Sequence, residues 1–298
     1  MSSQEELCPI TDLPKKLRDD ISRLIISYST GLIKVTKASN MGESVLLIGS
    51  GTFVTFSNIF GIITASHVVD LLKGQYSLGL ILSEHEHNYS IKSDYLEVIP
   101  VANCQVESDG PDLAIIILPF SELGTIKARK SFHNLDIKRD RICANPPEFD
   151  KGVWALCGVP EIKTIDEPSR KGFDSLKGFT ILCGFGSTRS TYIVGDYDYC
   201  DFEVKYDSSP DIPITFGGVS GGGLWQIPLR RSPEGTIEPI EFILSGVAFY
   251  QTERTGLFRS VRCHGRNSIY DMVYSFITEN RKQKTENHVL DLRHHRSA

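Results

Sequence analysis

The chain has 298 residues, 40% of them hydrophobic and 23% charged, which allows one large or two modest domains with a real core. With 32 basic against 37 acidic residues the formal net charge is −5, which gives no electrostatic footprint for nucleic acid or an anionic membrane surface. No apolar run reaches membrane-span length, and the opening "MSSQEELCPITDLPKKLRDD" lacks the basic region and apolar stretch of a secretory signal, so a cytoplasmic setting is expected.

Residues 13–28 carry Leu17, Ile21, Leu24, Ile25 and Tyr28 at helical spacing, with Pro14 in the first turn and Asp12 as a cap. From residue 31 the texture changes to short runs rich in Val, Ile, Thr and Phe: "GLIKVTK", "SVLLIGSGTFVTF" and "FGIITAS", the last two joined through "SNIFG" as a hairpin. "YSLGLILS", "YLEVIPVA" and "DLAIIILP" continue the series to residue 119. Residues 120–150 are polar and weakly patterned and read as a connection. A second series follows: "GVWALCGVP", "GFTILCGFGST", "CDFEVKYD", "GGGLWQIPL", "PIEFILSGVAFY" and "GLFRSVRC", with "RRSPEGTIEP" as a hairpin loop. Residues 267–279 return to helix, with Ile269, Met272, Val273, Phe276 and Ile277 as one stripe and Ser268 and Asp271 spaced as a capping box. The stretch from about 284 is polar. Two successive blocks of strands with helices at the ends predict an all-β fold. It is divided as 1–29, an N-terminal segment with an amphipathic helix; 30–125, the first block; 126–265, the second; and 266–298, a C-terminal helix and tail.

The seven cysteines, Cys8, Cys104, Cys143, Cys157, Cys183, Cys200 and Cys263, are odd in number and contain no C-x-x-C, so they read as reduced, mostly buried thiols. "SEHEHN", with His85 and His87, reads as a solvated loop and not a metal site, and no cofactor is implied. "GSGTFV" lacks the third glycine of a dinucleotide loop.

The stretch "TFGGVSGGGLW" surrounds Ser220 with glycines, residues that cost backbone entropy. A loose turn is the plain reading; a nucleophile set in unusual backbone geometry is the sharper one. A serine hydroxyl needs a base, usually histidine, and that base needs a carboxylate. Of the histidines, His288, His294 and His295 lie in the tail, His133 in the connection, and His264 just ahead of the final helix. His67 stands where the apolar "GIITAS" turns into "HVVDLL", a junction that can hold an ionisable group at a cleft. Asp112 directly precedes "LAIIILP"; Asp109, beside Gly110 and Pro111, reads as a turn residue.

"GSGTFV…GIITASHVV", "PDLAIIILP" and "GGVSGGGLW" occur in the order His, Asp, Ser at spacings of 45 and 108 residues. This resembles the trypsin-like, chymotrypsin-fold serine peptidases, closer to the bacterial and organelle HtrA-type branch than to the secreted digestive enzymes. The motifs span residues 49 to 225, and the strand layout extends the resemblance to about 265. It implies two packed six-stranded antiparallel β-barrels and a Ser220–His67–Asp112 triad acting on a polypeptide substrate. It also implies an oxyanion hole formed by the backbone N–H groups of Gly218 and Ser220; in comparable enzymes such donors stabilise the intermediate by roughly 3–4 kcal/mol each. Ile214, six before the serine, would frame an uncharged pocket for the residue before the cut, and Ser245, Gly246 and Val247 would form an edge that binds substrate backbone by strand addition.

Departures from the family are informative. Val219 replaces the Asp that pairs with a newly cut N-terminus in secreted members, no activation site precedes the first strand, and "SHVVD" offers no disulfide partner beside the histidine. Gly223 stands where proline often follows the Gly-Gly pair, and no PDZ-sized segment follows residue 265. A cytoplasmic serine endopeptidase that needs no cleavage is therefore expected, with a protease-fold binding or latent effector protein as the alternative. An esterase of another fold lacks its Gly-x-Ser-x-Gly elbow between strand and helix. Nothing in the sequence fixes the oligomeric state.

Overall fold

A computed structural model of the chain describes residues 13–38, 42–83, 89–103, 109–167, 176–206 and 212–281. The opening helix α1 (Lys15–Ser27) starts after Pro14 and buries Ile21 and Ile25. Full burial of side chains this size stabilises by about 1.5–3 kcal/mol each. Asp12, the expected cap, lies outside the described residues.

The first block is a single sheet built on strands β1 (Ser29–Ala38), β2 (Gly42–Phe56) and β3 (Ile59–Thr64), a short helix α2 (Ser66–Asp70), then β4 (Ser77–Leu80), β5 (Tyr89–Lys92), β6 (Glu97–Ala102) and β7 (Leu113–Ile117). The strand order is β5-β4-β1-β2-β3-β7-β6. The β2–β3 hairpin turns on Ser57 and Asn58, both at positive φ (45° and 63°), which matches the type I′ geometry favoured by strand twist. Among the described residues this sheet does not close on itself. β6 pairs only with β7 and carries Pro100, which has no N–H for a second neighbour, so it ends the sheet.

The connection is more ordered than its polarity predicts. It forms α3 (Leu123–Lys127), β8 (His133–Asn134) and α4 (Leu135–Ala144). β8 pairs in parallel with β2, and the Asn134 side chain caps α4 by accepting from the Ile137 N–H at 3.3 Å. Only Leu135 and Ile142 of α4 are buried, too few to give a readable stripe.

The second block is a closed antiparallel barrel, in the order β12-β13-β18-β17-β14-β9. Its strands are β9 (Val153–Gly158), β12 (Leu182–Val194), β13 (Tyr197–Lys205), β14 (Gly223–Ile227), β17 (Ile243–Gln251) and β18 (Phe258–His264). Two small ladders stand outside it: β10 (Ile165–Glu167) with β11 (Leu176–Gly178), and β15 (Leu229–Arg231) with β16 (Ile237–Pro239), the hairpin expected at "RRSPEGTIEP". Strand alternation divides β9 cleanly. Trp154 and Leu156 face the barrel interior, while Val153, Ala155 and Cys157 face a core shared with the first sheet and both terminal helices. A closed six-stranded antiparallel barrel beside a second β-sheet, with few short helices, is a chymotrypsin-like architecture.

The final helix, α5 (266–281), begins with a π-helical stretch at Ser268–Val273. That insertion shifts the buried face. Ile269, Tyr270, Val273 and Ile277 are buried, whereas Phe276 of the expected stripe is exposed. Ser268 and Asp271 do not form the expected capping box. The Asp198 carboxylate, reaching over from β13, accepts from the N–H groups of Asn267 (3.0 Å) and Ser268 (2.7 Å), and Asp271 pairs with Arg139 instead.

Candidate active site

Strand register brings His67 and Asp112 together. β3 pairs with β7 through Ile63↔Ile115 and Thr64↔Ala114. Continued past the strand ends, that register sets Asp112 level with the start of α2, where His67 is the second residue. Asp112 is buried, and its carboxylate accepts twice from His67: the backbone N–H donates to Oδ1 at 2.9 Å, and ring Nδ1 lies 2.5 Å from Oδ2. Two attachments fix both the position of the residue and the orientation of its ring. With Nδ1 engaged as a donor, Nε2 is the nitrogen left as a base. Asp109 lies in the preceding turn.

A second histidine holds Asp112 by its backbone. His264, at the end of β18, accepts the Asp112 backbone N–H on Nε2 at 2.8 Å. Its ring is fully buried among Tyr197, Tyr199 and Phe249, and burial pulls its pKa down to about 4, so it stays neutral and able to accept. Nothing in the sequence separated His264 from an ordinary histidine at a strand end.

Ser220 lies in the turn leading into β14 and is partly exposed. Ser50 of β2 binds this turn at two points and ties it to the end of β9 at a third. Its N–H donates to the Ser220 carbonyl at 2.7 Å, its hydroxyl donates to the Gly218 carbonyl at 2.7 Å, and the same oxygen accepts the Val159 N–H at 2.8 Å. The glycines permit the approach. Gly221 has φ +87°, and a Cβ there would collide with the Ser50 carbonyl and the Thr64 hydroxyl, three residues before His67. A Cβ on Gly49 would lie within 3 Å of both the Val68 side chain and the Ser220 carbonyl, so the His67 helix and the serine turn meet across that one hydrogen. The turn of the barrel thus rests directly on the strands that carry His67.

The backbone amides of the turn fall into two sets. Those of Gly217, Val219, Gly221 and Gly222 donate to Thr215 Oγ1 and to the carbonyls of Phe216, Ala248 and Val219. Those of Gly218 and Ser220 donate to no protein acceptor among the described residues. Gly218 has φ +84°, and a Cβ there would lie 2.5 Å from the Val159 carbonyl oxygen, so both conformation and space require glycine. Val219 is buried in the barrel interior against Gly158.

The expected substrate contacts need correction. Ser245, Gly246 and Val247 do not form an edge. Within β17, Gly246 and Val247 pair with β14 through Leu224↔Gly246 and Gly223↔Val247, Val247 also pairs with His264 of β18, and Ser245 is the bulged residue of the β14 ladder. Ser245 is fully buried and accepts from Arg266 Nε at 3.0 Å; that guanidinium also reaches Gln226 and the Pro147 carbonyl, and burial lowers its pKa to about 10. The ladder to β14 ends at Val247, and Ala248 exchanges bonds with Gly221 and Gly222. Beyond it, Tyr250 and Gln251 pair, among the described residues, with β18 alone, and Phe249 is the bulged residue of that ladder, so this stretch leaves an open flank following the residue that bonds the serine turn. Ile214 is 68% exposed, and its carbonyl accepts from Arg259 Nη1 at 2.7 Å. Arg259 also reaches Gln251 Oε1, which accepts the Phe216 N–H at 2.8 Å, so the wall expected to be uncharged carries a guanidinium. Asp211, His85, His87, His288, His294 and His295 lie outside the described residues. Among the described residues no cluster of three or more His, Cys, Asp or Glu could hold a metal, and no helix is long and apolar enough to cross a membrane.

No family model matches the chain, and no curated protein matches it. Among solved structures it is similar to the protease of tobacco vein mottling virus, with 15% identity over 80% of this chain and 77% of that one and a TM-score of 0.36. It is also similar to a chain solved in work on the coupled folding and binding of the intrinsically disordered Sesbania mosaic virus VPg protein, with 15% identity over 81% and 88% and a TM-score of 0.40. Both are distant in backbone, and what the site can do chemically rests on its own geometry.

Proposed function

We propose that the chain is a serine endopeptidase that hydrolyses peptide bonds through an acyl-enzyme intermediate. The observation that carries this reading is the double attachment of His67 to the Asp112 carboxylate, at 2.9 and 2.5 Å, beside the serine turn. In this reading His67 takes the Ser220 proton on Nε2 as the hydroxyl attacks the scissile carbonyl. Asp112 stabilises the imidazolium that forms, and His67 then protonates the leaving amine. The free amides of Gly218 and Ser220 receive the oxyanion. Water attacks the acyl-enzyme with His67 again as base, releasing the acid and restoring the serine. Substrate backbone adds to the open flank at Phe249–Gln251. Val219 offers no charge to a new amino terminus, so activity does not depend on cleavage.

Active-site labelling tests this. The full chain should take up one fluorophosphonate on Ser220 and lose uptake in Ser220→Ala, with peptide hydrolysis lost in parallel. A folded chain that neither labels nor cleaves any member of a peptide library would be a protease-fold binding protein instead.

A further inference from the structure

The barrel contains two pairs of facing cysteines. Cys157 of β9 stands directly opposite Cys183 of β12, and Cys200 of β13 directly opposite Cys263 of β18. Facing residues of an antiparallel pair have Cα atoms about 4.5 or 5.5 Å apart, and both spacings fall within the range a disulfide spans. Facing residues also project to the same side of the sheet, so no strand need turn over for the sulfurs to meet.

The two pairs differ in setting. Cys200 and Cys263 are fully buried in the barrel interior, packed among Phe202, Leu224 and Val261. Cys157 and Cys183 face outward beneath α1. Cys157 is buried and Cys183 is partly exposed. Burial disfavours the thiolate at both pairs, and at Cys157 the ammonium of Lys130, itself buried, opposes this effect. A facing dithiol with one partly exposed sulfur can meet an oxidant in solution, which the enclosed Cys200–Cys263 pair cannot.

We propose that Cys157 and Cys183 are a redox modification site that closes to a reversible disulfide with a peroxide as oxidant. One thiolate attacks a peroxide oxygen; the S–O bond forms as O–O breaks, and the second oxygen leaves as water after protonation. The other sulfur attacks the resulting sulfenic acid, the S–S bond forms, and the hydroxyl leaves as a second water. In sum two thiols and one hydrogen peroxide give one disulfide and two waters, and a dithiol reductant reverses the change by exchange. The linked strand is the one that supports the serine turn: β9 pairs Cys157 with Gly223, and the Cys157 carbonyl lies against Gly222.

The test uses the reduced full-length chain, treated with increasing hydrogen peroxide, denatured, alkylated with iodoacetamide and mapped by mass. The expected result is a Cys157–Cys183 crosslink lacking two hydrogens and both alkyl groups. It should form while Cys200 and Cys263 still alkylate, and disappear with dithiothreitol. In Cys157→Ser, Cys183 should accumulate as sulfenic acid, detectable with dimedone, without a crosslink. The proposal is overturned if both thiols still alkylate at peroxide levels that oxidise the exposed Cys143, if Cys183 links to another cysteine, or if it goes to sulfinic acid without linking. The map of the parent chain decides the matter even where the variant fails to fold.

Discussion

Replacing Asp112 by Asn removes a charge while keeping shape, and the geometry says which bonds survive. The carboxylate has two acceptor positions in use, one for the His67 backbone N–H at 2.9 Å and one for ring Nδ1 at 2.5 Å. An amide offers one acceptor and one donor. If its NH2 faced the His67 N–H, two donors would oppose each other in a buried site, at a cost of about 1–3 kcal/mol. The oxygen therefore keeps the backbone bond and the NH2 turns to Nδ1. Nδ1 must then accept, the ring proton moves to Nε2, and the base that should receive the serine proton is blocked. A wrong tautomer of this kind costs about 10⁴ in kcat, equivalent to roughly 5.5 kcal/mol of transition-state stabilisation. The rate of fluorophosphonate labelling, followed by intact mass, and the rate of peptide hydrolysis should both fall by about that factor, with the circular dichroism unchanged. A folded Asp112→Asn protein that labels within about tenfold of the parent would refute the assignment of Asp112 as the orienting group.

Ser50→Ala should lower labelling by roughly 10- to 100-fold and stability by about 1–3 kcal/mol, because it leaves the Gly218 carbonyl and Val159 N–H without their shared partner; unchanged labelling and an unchanged urea midpoint would show that the turn holds its shape unaided. His133 and His264 are buried with pKa values pulled down to about 4 by burial, against about 6.5 when unfolded. The unfolded chain therefore binds protons first on acidification. The stability present above pH 6.5 is lost as pH falls toward 4, by up to about 1.4 kcal/mol per pH unit for each histidine; equal urea midpoints at pH 7.5 and pH 5 would contradict this. Peptide-library profiling should show cleavage after apolar residues and little after Lys or Arg, since Arg259 stands on the wall beside Ile214; dominant cutting after a basic residue would place the pocket elsewhere.

What could be read from the sequence was local. His67 and Asp112 sit at the ends of two apolar strands, a placement that left each open to a structural role, and it was the resemblance carried by the order of the three motifs that paired them. The serine turn announced itself through glycines whose positive φ values at 218 and 221 no other residue tolerates as well. Partner choice was not readable. Alternation in "FILSGVAFY" shows a strand but not which neighbours it takes, so the open flank was expected at Ser245–Val247 and lies at Phe249–Gln251. Ser50 and His264 were missed for the same reason. Each acts on residues more than a hundred positions away, and neither differs locally from a structural serine or histidine. The helices of the connection were missed because α4 buries one residue at each end and shows no stripe.

The two terminal helices cross between the halves. Helix α1 leads into the first sheet yet packs against β12 of the barrel, while α5 follows the barrel yet reaches back: Tyr270 bonds His133, and the Tyr274 hydroxyl bonds Asp136 and Ser57 of the first-sheet hairpin. Each half is thus laced to the other by its partner's end of the chain, and apolar residues of both join in one shared cluster. Neither half can melt without uncovering apolar surface on its neighbour, so the chain should unfold as one cooperative unit despite its two-block layout. The junction where the serine turn rests on Ser50 and Gly49 is then a seam held at both ends, and its alignment depends on residues near the termini that lie far from it in sequence. A break in the connecting segment would make the seam an interface between two fragments, held by the shared core and the crossed helices in place of the peptide link.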